Sequence, residues 1–297
     1  MYQVRFETFL QNYQETQYWE DKNYEEKTRG PSYKSIQHTN NLQGYSNDDT
    51  IKPMGINNLN DLKWWRIKSI DVSIKLLQHE LKGNCLEIGA GGGLGSAYLS
   101  SFELVDRVDC LDYSLIAVEK LMPEVHSSID IANPKKIRRV YGSYDNIKEK
   151  NYNFIYGSGA LHNSKNLDKT FHSLYDALDP EGVFVSSDFA LPFETTKIEE
   201  EHQTTSVIKK SLERFNKDVT YYDTSDYFRS IYDYLYFAKS AGFKVYPIIF
   251  SENRRNKKIK NLDDIFKNGA LNSFYPHYKK QRFDNLLLIC KKNSRVE

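Results

Sequence analysis

The segment Leu86-Glu87-Ile88-Gly89-Ala90-Gly91-Gly92-Gly93-Leu94-Gly95 constrains the fold more than any other part of the chain. An apolar run enters a turn in which most residues lack a side chain, and a helix-forming stretch leaves it. Glycine permits positive φ and lets a ligand lie close to the backbone. The first amides of the following helix have no intrahelical partner. The spacing narrows the ligand. Dinucleotide-binding loops read G-x-G-x-x-G, but here the third glycine falls on Leu94 counting from Gly89 and on Ser96 counting from Gly91. The pattern present is E-x-G-x-G-x-G, beginning at Glu87. An acid ahead of the loop repels a pyrophosphate and suits a cationic ligand that carries an ammonium and a sulfonium.

Downstream, apolar strands and helices alternate at intervals of about 25 residues, the rhythm of a parallel sheet covered on both faces. Strands are expected over 84–88, 107–111, 137–141, 153–156, 183–187, 243–250 and 283–290. Helices are expected over 95–101, 114–121, 167–178 and 227–240. Ahead of the first strand, Leu62, Ile67, Ile70, Ile74, Leu77 and Leu81 recur at three- and four-residue steps, which predicts an amphipathic helix stopped by Gly83. Residues 1–60 are polar and tyrosine-rich and are expected to form a cap or lid, while 61–297 form the main domain. Two insertions interrupt that domain, at about 191–226 and 251–282.

The strand over 107–111 leads into Asp112, 19 residues after Gly93. A carboxylate there accepts both hydroxyls of a ribose; the alternative is a helix cap, with Ser114 as its rival. With these residues in place, the chain resembles the class I S-adenosylmethionine-dependent methyltransferases. Gly142-Ser143-Tyr144-Asp145 is similar to that family's adenine-edge segment, where Asp145 or Ser143 would meet the adenine amino group. Tyr156-Gly157-Ser158-Gly159-Ala160-Leu161-His162-Asn163 resembles its fourth-strand exit, Leu178-Asp179-Pro180-Glu181-Gly182 its turn before strand five, and Ala241-Gly242-Phe243 its entry to strand six. The resemblance covers Gly83 to about Ala190 well and the last two strands loosely. It implies a doubly wound α/β sheet of seven strands, mostly parallel, with the last strand antiparallel between strands five and six. It also implies S-adenosyl-L-methionine as cofactor, held by Glu87, Gly89, Ala90, Gly91, Gly93, Asp112, Tyr113, Ser143, Tyr144, Asp145, Gly157 and Ser158.

Methyl transfer from a sulfonium is an in-line displacement with a good leaving group. The protein must align the acceptor, exclude water and, for some acceptors, remove a proton. His162 follows the fourth strand at the carboxyl edge of the sheet, which makes it the candidate base; packing against the cofactor or a helix is the alternative. The phosphoethanolamine methyltransferases, which this segment resembles, carry a histidine in the corresponding turn. Their preceding aspartate is here Ser158 or Gly159. Asp188, at the end of the fifth strand, is the second catalytic candidate, with a capping or surface acid as the alternative; Glu194 is a weaker one.

The remaining features exclude more than they assign. His38, His79, His126, His172, His202 and His277 show no metal-ligand spacing. Cys85, Cys110 and Cys290 are odd in number and far apart, which reads as buried free thiols. Net charge is +1, from 41 basic and 40 acidic residues, without the basic excess of a dedicated nucleic-acid binder. No apolar run approaches a membrane span, and the N-terminus lacks a signal-peptide layout. A cytoplasmic enzyme is expected. Trp64 and Trp65 read as core packing ahead of pocket stacking. The basic run Arg254 to Lys260 reads as a solvated loop or a phosphate site. The absence of D/N-P-P-Y/F after the fourth strand argues against a base amine as acceptor. A small molecule methylated on oxygen or nitrogen is expected, with a sugar or nucleotide-linked sugar first. A nucleotide-cofactor oxidoreductase and a non-catalytic binding protein are the alternatives.

Overall fold

A computed structural model describes residues 3–4, 68–115, 117–128, 130–192, 195–201, 227–250 and 284–292. Trp64, Trp65, Glu194, the basic 251–282 stretch and nearly all of the expected N-terminal cap lie outside the described residues.

The elements in chain order are β1 (Gln3–Val4), α1 (Lys68–Leu77), β2 (Gly83–Ile88), α2 (Leu94–Leu99), β3 (Val105–Asp112), α3 (Met122–Ser128), β4 (Ile137–Tyr141), β5 (Tyr152–Ser158), α4 (Leu167–Ala177), β6 (Leu178–Ala190), α5 (Ile231–Ser240), β7 (Phe243–Phe250) and β8 (Asp284–Lys292). They build one sheet in the order β1-β4-β3-β2-β5-β6-β8-β7. Strands β4, β3, β2, β5 and β6 are parallel to one another, and β8 runs antiparallel between β6 and β7. The seven strands expected from the sequence are all present. The eighth was not expected: Gln3–Val4, at the start of the presumed cap, pairs in parallel with Val140 and Tyr141.

Alternation along each central strand explains the three-layer build, because successive side chains point to opposite faces. Cys85, Phe154, Tyr156, Val183, Val185, Leu287 and Ile289 face one cluster, with Ile70 of α1, Leu94 and Ala97 of α2, and Val125 of α3. Leu86, Ile88, Ile155, Phe184, Leu286 and Leu288 face the other, with Leu167, Phe171 and Leu174 of α4 and Ile231 and Tyr234 of α5. Both faces are buried, so these strands read as continuous apolar runs. The three cysteines are free and buried.

Three boundaries differ from the sequence reading. Helix α1 ends at Leu77, well before Gly83, because Gln78 takes a left-handed conformation (φ 51°) and the His79 N–H turns back to Ile74 O at 2.9 Å. The helix expected to end at Leu121 continues: a π-helical turn over Ala117–Leu121 runs directly into α3, which carries Pro123 as its second residue. Strand β6 begins at Leu178, so the expected Asp179-Pro180-Glu181-Gly182 turn is an irregularity within it, where the register against β5 shifts between Tyr152 and Phe154.

One half-buried ionic cluster, centred on the buried Asp109, ties β3, β4 and β5 together. Arg138 grips Asp109 with two bonds of 2.7 and 2.6 Å, and the Tyr152 hydroxyl donates to the same carboxylate at 2.6 Å. Arg107 and Arg138 both reach Glu149, at 2.7 and 2.6 Å. No described helix is long and apolar enough to cross a membrane.

Candidate functional site

The glycine loop leaves β2 and is held from below by Glu87, which is only 4% exposed. Its Oε1 accepts the Gly95 N–H at 3.0 Å, and its Oε2 accepts the Ser96 N–H at 2.6 Å and the Ser96 hydroxyl at 2.7 Å. These are the otherwise unpaired amides at the start of α2, where a carboxylate is favoured. A Cβ at Gly95 would lie 2.5 Å from Glu87 Oε1, so the helix can settle on the carboxylate only with glycine there. Burial pushes the Glu87 carboxyl up to about 7 against these bonds. The sequence suggested Glu87 as a partner for a cationic ligand. The structure engages both of its oxygens with the start of α2.

Asp112, at the end of β3, joins that loop to the next. Its Oδ2 accepts the Gly91 N–H and its Oδ1 the Ser114 N–H, each at 2.8 Å. Burial raises its carboxyl, and the amides of Ser114, Gly91 and Tyr113 counter this. The backbone continues the join, with Ala90 N bonded to Leu111 O at 3.1 Å and Gly142 N to Asp112 O at 3.0 Å. Tyr113 lies half-buried between Asp112 and Ser114.

The segment after β4 is tied inward. Ser143 Oγ accepts the Asp145 N–H at 3.1 Å, and the Tyr144 hydroxyl donates to Ala160 O at 2.9 Å. The Asp145 carboxylate accepts from the Thr170 hydroxyl on α4, and burial raises its carboxyl. The Thr170 bond uses one of the two carboxylate oxygens of Asp145. Gly157 and Ser158 are the last residues of β5, where Gly157 pairs with Ile88 and Ser186. Ala160 follows directly across from the glycine loop: a Cβ at Gly89 would stand 2.8 Å from Ala160 Cβ. The bare backbone of Gly89 therefore lets the exits of β2 and β5 close on one another.

Two residues on, His162 and Asp188 meet. His162 Nδ1 is 2.7 Å from Asp188 Oδ1. The Leu161 N–H donates to Asp188 Oδ2 at 2.7 Å and the Phe189 N–H to Oδ1 at 2.8 Å. The carboxylate is thus fixed by two backbone donors before it meets the imidazole. The His162 ring is stacked on Phe228 (centroids 5.8 Å, planes 6° apart), and Phe189 meets it edge-on at 5.8 Å. The His162 carbonyl accepts the Tyr227 N–H at 2.6 Å. The sequence reading proposed His162 and Asp188 separately and did not pair them. Phe189, Phe228 and Tyr227 were missed; Phe228 lies across an insertion, and only its aromatic character hinted at a wall.

The 191–226 insertion is moored at its root. Leu191 N bonds Arg229 O at 2.8 Å, and Ile231 N bonds Leu191 O at 3.0 Å. Glu200 accepts the Ser230 N–H at 2.6 Å, and Lys197 bridges Glu200 and Asp233.

An acid-led glycine loop on this sheet, with its last strand antiparallel and inserted, defines a class I S-adenosylmethionine-dependent methyltransferase. The chain belongs to the methyltransferase-domain family, whose pattern matches residues 67–246. No curated protein sequence matches it. The fold is similar to a Galdieria sulphuraria protein assigned as a sarcosine dimethylglycine methyltransferase, at 18% identity over 76% of this chain and 86% of that one, with a TM-score of 0.52. It is similar to geranyl diphosphate C-methyltransferase from Streptomyces coelicolor A3(2), solved with Mg2+, geranyl-S-thiolodiphosphate and S-adenosyl-L-homocysteine (10% identity, 76% and 75% covered, TM-score 0.51). It is also similar to Haemonchus contortus phosphoethanolamine N-methyltransferase 2, solved with phosphomonomethylethanolamine and S-adenosylhomocysteine (16% identity, 76% of this chain but 52% of that one, TM-score 0.50). The cofactor is S-adenosylmethionine. The residues present fit it: the loop offers backbone without side chains at Gly89, Gly91 and Gly93, beside the Asp112 carboxylate.

Proposed function

We propose that this methyltransferase acts on an oxygen or nitrogen of a small molecule, with His162 as general base and Asp188 as its positioning partner. The observation that carries the reading is the 2.7 Å contact between His162 Nδ1 and a carboxylate fixed by two backbone amides. A carboxylate accepts only, so the Nδ1 proton stays on the Asp188 side and the neutral ring carries its lone pair on Nε2. A proton taken from an acceptor hydroxyl or ammonium makes an imidazolium, which the Asp188 carboxylate stabilises. Phe228 and Phe189 cover the ring and keep water from competing for it. The cofactor, when bound, supplies an electrophilic methyl group on a sulfonium with a good leaving group. Glu87 and Asp112 hold the loop on which it rests.

Native mass spectrometry of the purified full chain identifies carried-over cofactor and acceptor. With that acceptor, His162→Ala is expected to cut kcat by about 10²–10⁴-fold, the usual cost of losing a general base. The acidic limb of the kcat/KM profile disappears with it. A fall of less than about five-fold with that limb retained would mean catalysis by alignment alone.

A further inference from the structure

The second half of the glycine loop is clamped from outside the motif that announces it. Two consecutive residues of α3 form its floor. A Cβ at Gly92 would lie 3.1 Å from Val125 Cγ2, and one at Gly93 would lie 2.5 Å from His126 Nε2 and 2.8 Å from Cys110 Sγ. Gly93 is the residue that caps α2. It has a left-handed backbone (φ 72°, ψ 30°) and no side chain with which to cap the helix. Its carbonyl accepts the Ala97 N–H at 3.0 Å, the first bond of α2, and meets His126 Nε2 at 2.9 Å. A carbonyl only accepts, so Nε2 carries the proton. Burial, with Arg139 acting in the same direction, holds the imidazole below the usual histidine range, so the ring is a neutral donor.

We infer that His126 is a positioning residue for cofactor binding, acting through its Nε2–H bond to Gly93 O. Gly93 fixes two things at once: the direction in which α2 leaves and the lie of the loop back to Gly91, whose amide is tied to Asp112. A left-handed glycine without a side chain is free to turn. The imidazole restrains it from the side of α3. The inference rests on the glycine loop being the cofactor cradle.

The test is calorimetric titration of the full chain with S-adenosylhomocysteine, in variants matched by circular dichroism. His126→Leu keeps the bulk and removes the donor. His126→Gln places an amide N–H near the Nε2 position, and His126→Asn carries the same group too short to reach. Leucine and asparagine are each expected to weaken binding about ten-fold, the worth of one hydrogen bond, and glutamine to stay within about three-fold of wild type. Should the leucine variant not fold, the glutamine–asparagine pair decides by the same comparison. Wild-type affinity in leucine or asparagine, or a glutamine variant as weak as asparagine, overturns the role of His126. Asp112→Ala separates the two readings. If it weakens binding while the His126 variants do not, only the His126 inference falls. If it too binds as wild type, the cradle reading falls as well.

Discussion

Asp188→Asn is the sharpest perturbation of the proposed dyad, because it keeps the shape and changes only which atoms donate. In the wild type, three donors converge on the two carboxylate oxygens: Leu161 N at 2.7 Å, Phe189 N at 2.8 Å and His162 Nδ1 at 2.7 Å. Asparagine offers one acceptor and one NH2 group. With the NH2 in the Oδ2 position, the Leu161 N–H faces a donor. With it in the Oδ1 position, the Phe189 N–H faces a donor, and His162 must accept at Nδ1, which moves its proton onto Nε2. Either way one buried N–H loses its partner, at about 1–3 kcal/mol. That cost lowers Tm by roughly 2–10 °C for a domain of this size. The second arrangement also removes the base, so kcat is expected to fall by about 10²–10⁴-fold. Differential scanning calorimetry and a coupled assay of S-adenosylhomocysteine release measure the two effects separately. Asparagine placed with its carbonyl oxygen at the Oδ1 position keeps the base, so the refuting result is read from Asp188→Ala, which leaves no acceptor for His162: turnover within about five-fold of wild type there, with the acidic limb intact, would refute the dyad. An unchanged Tm would refute the backbone anchoring.

Asp112→Ala should weaken S-adenosylmethionine binding by about ten-fold or more, since charge-assisted hydrogen bonds are lost; calorimetry giving wild-type affinity in a folded variant rejects the assignment. Glu87 predicts a pH dependence of stability. Its carboxyl is raised from 4.5 to about 7 by burial. An acid raised on folding binds more protons in the native state, so its contribution to stability falls as pH rises from about 4.5 through 7. The loss is on the order of 3 kcal/mol. Urea unfolding at pH 5 and pH 8 should show a smaller difference for Glu87→Gln than for wild type, and equal differences would contradict the reading.

The strands and the glycine loop were legible because both rest on local signals, apolar runs for strands buried on two faces and glycine spacing for the loop; the order of the strands came from the family resemblance, since no local signal carries it. What escaped the sequence depends on side chains meeting across the fold. Nothing in the sequence around His162 announces that Asp188, 26 residues on, turns its carboxylate toward that ring. His126 lies beyond the helix expected over 114–121 and was noted only as lacking metal-ligand spacing; its role appears once α3 lays it against Gly93. Glu87 was recognised by position, but its bonds to the start of α2 were not foreseen. An acid ahead of a glycine loop looks like a ligand group, and only the close approach of Gly95 shows that the helix claims it first. Gln3–Val4 was missed because two residues carry no periodicity to read.

The mooring of the insertion has a consequence for how such a domain diversifies. The chain departs after Leu191 and comes back at Arg229 and Ser230, its two ends joined by an isolated bridge between Leu191 and Ser230. Viewed from the sheet, everything between is a closed excursion. Lengthening a closed loop costs little entropy, about 0.6 kcal/mol per doubling for a flexible one. Yet the returning end does not rejoin as a passive hinge, for Tyr227 and Phe228 rest directly on His162. A change of length in the excursion is therefore expected to leave β2, the glycine loop and Asp112 in place and to be felt at His162 through Tyr227 and Phe228.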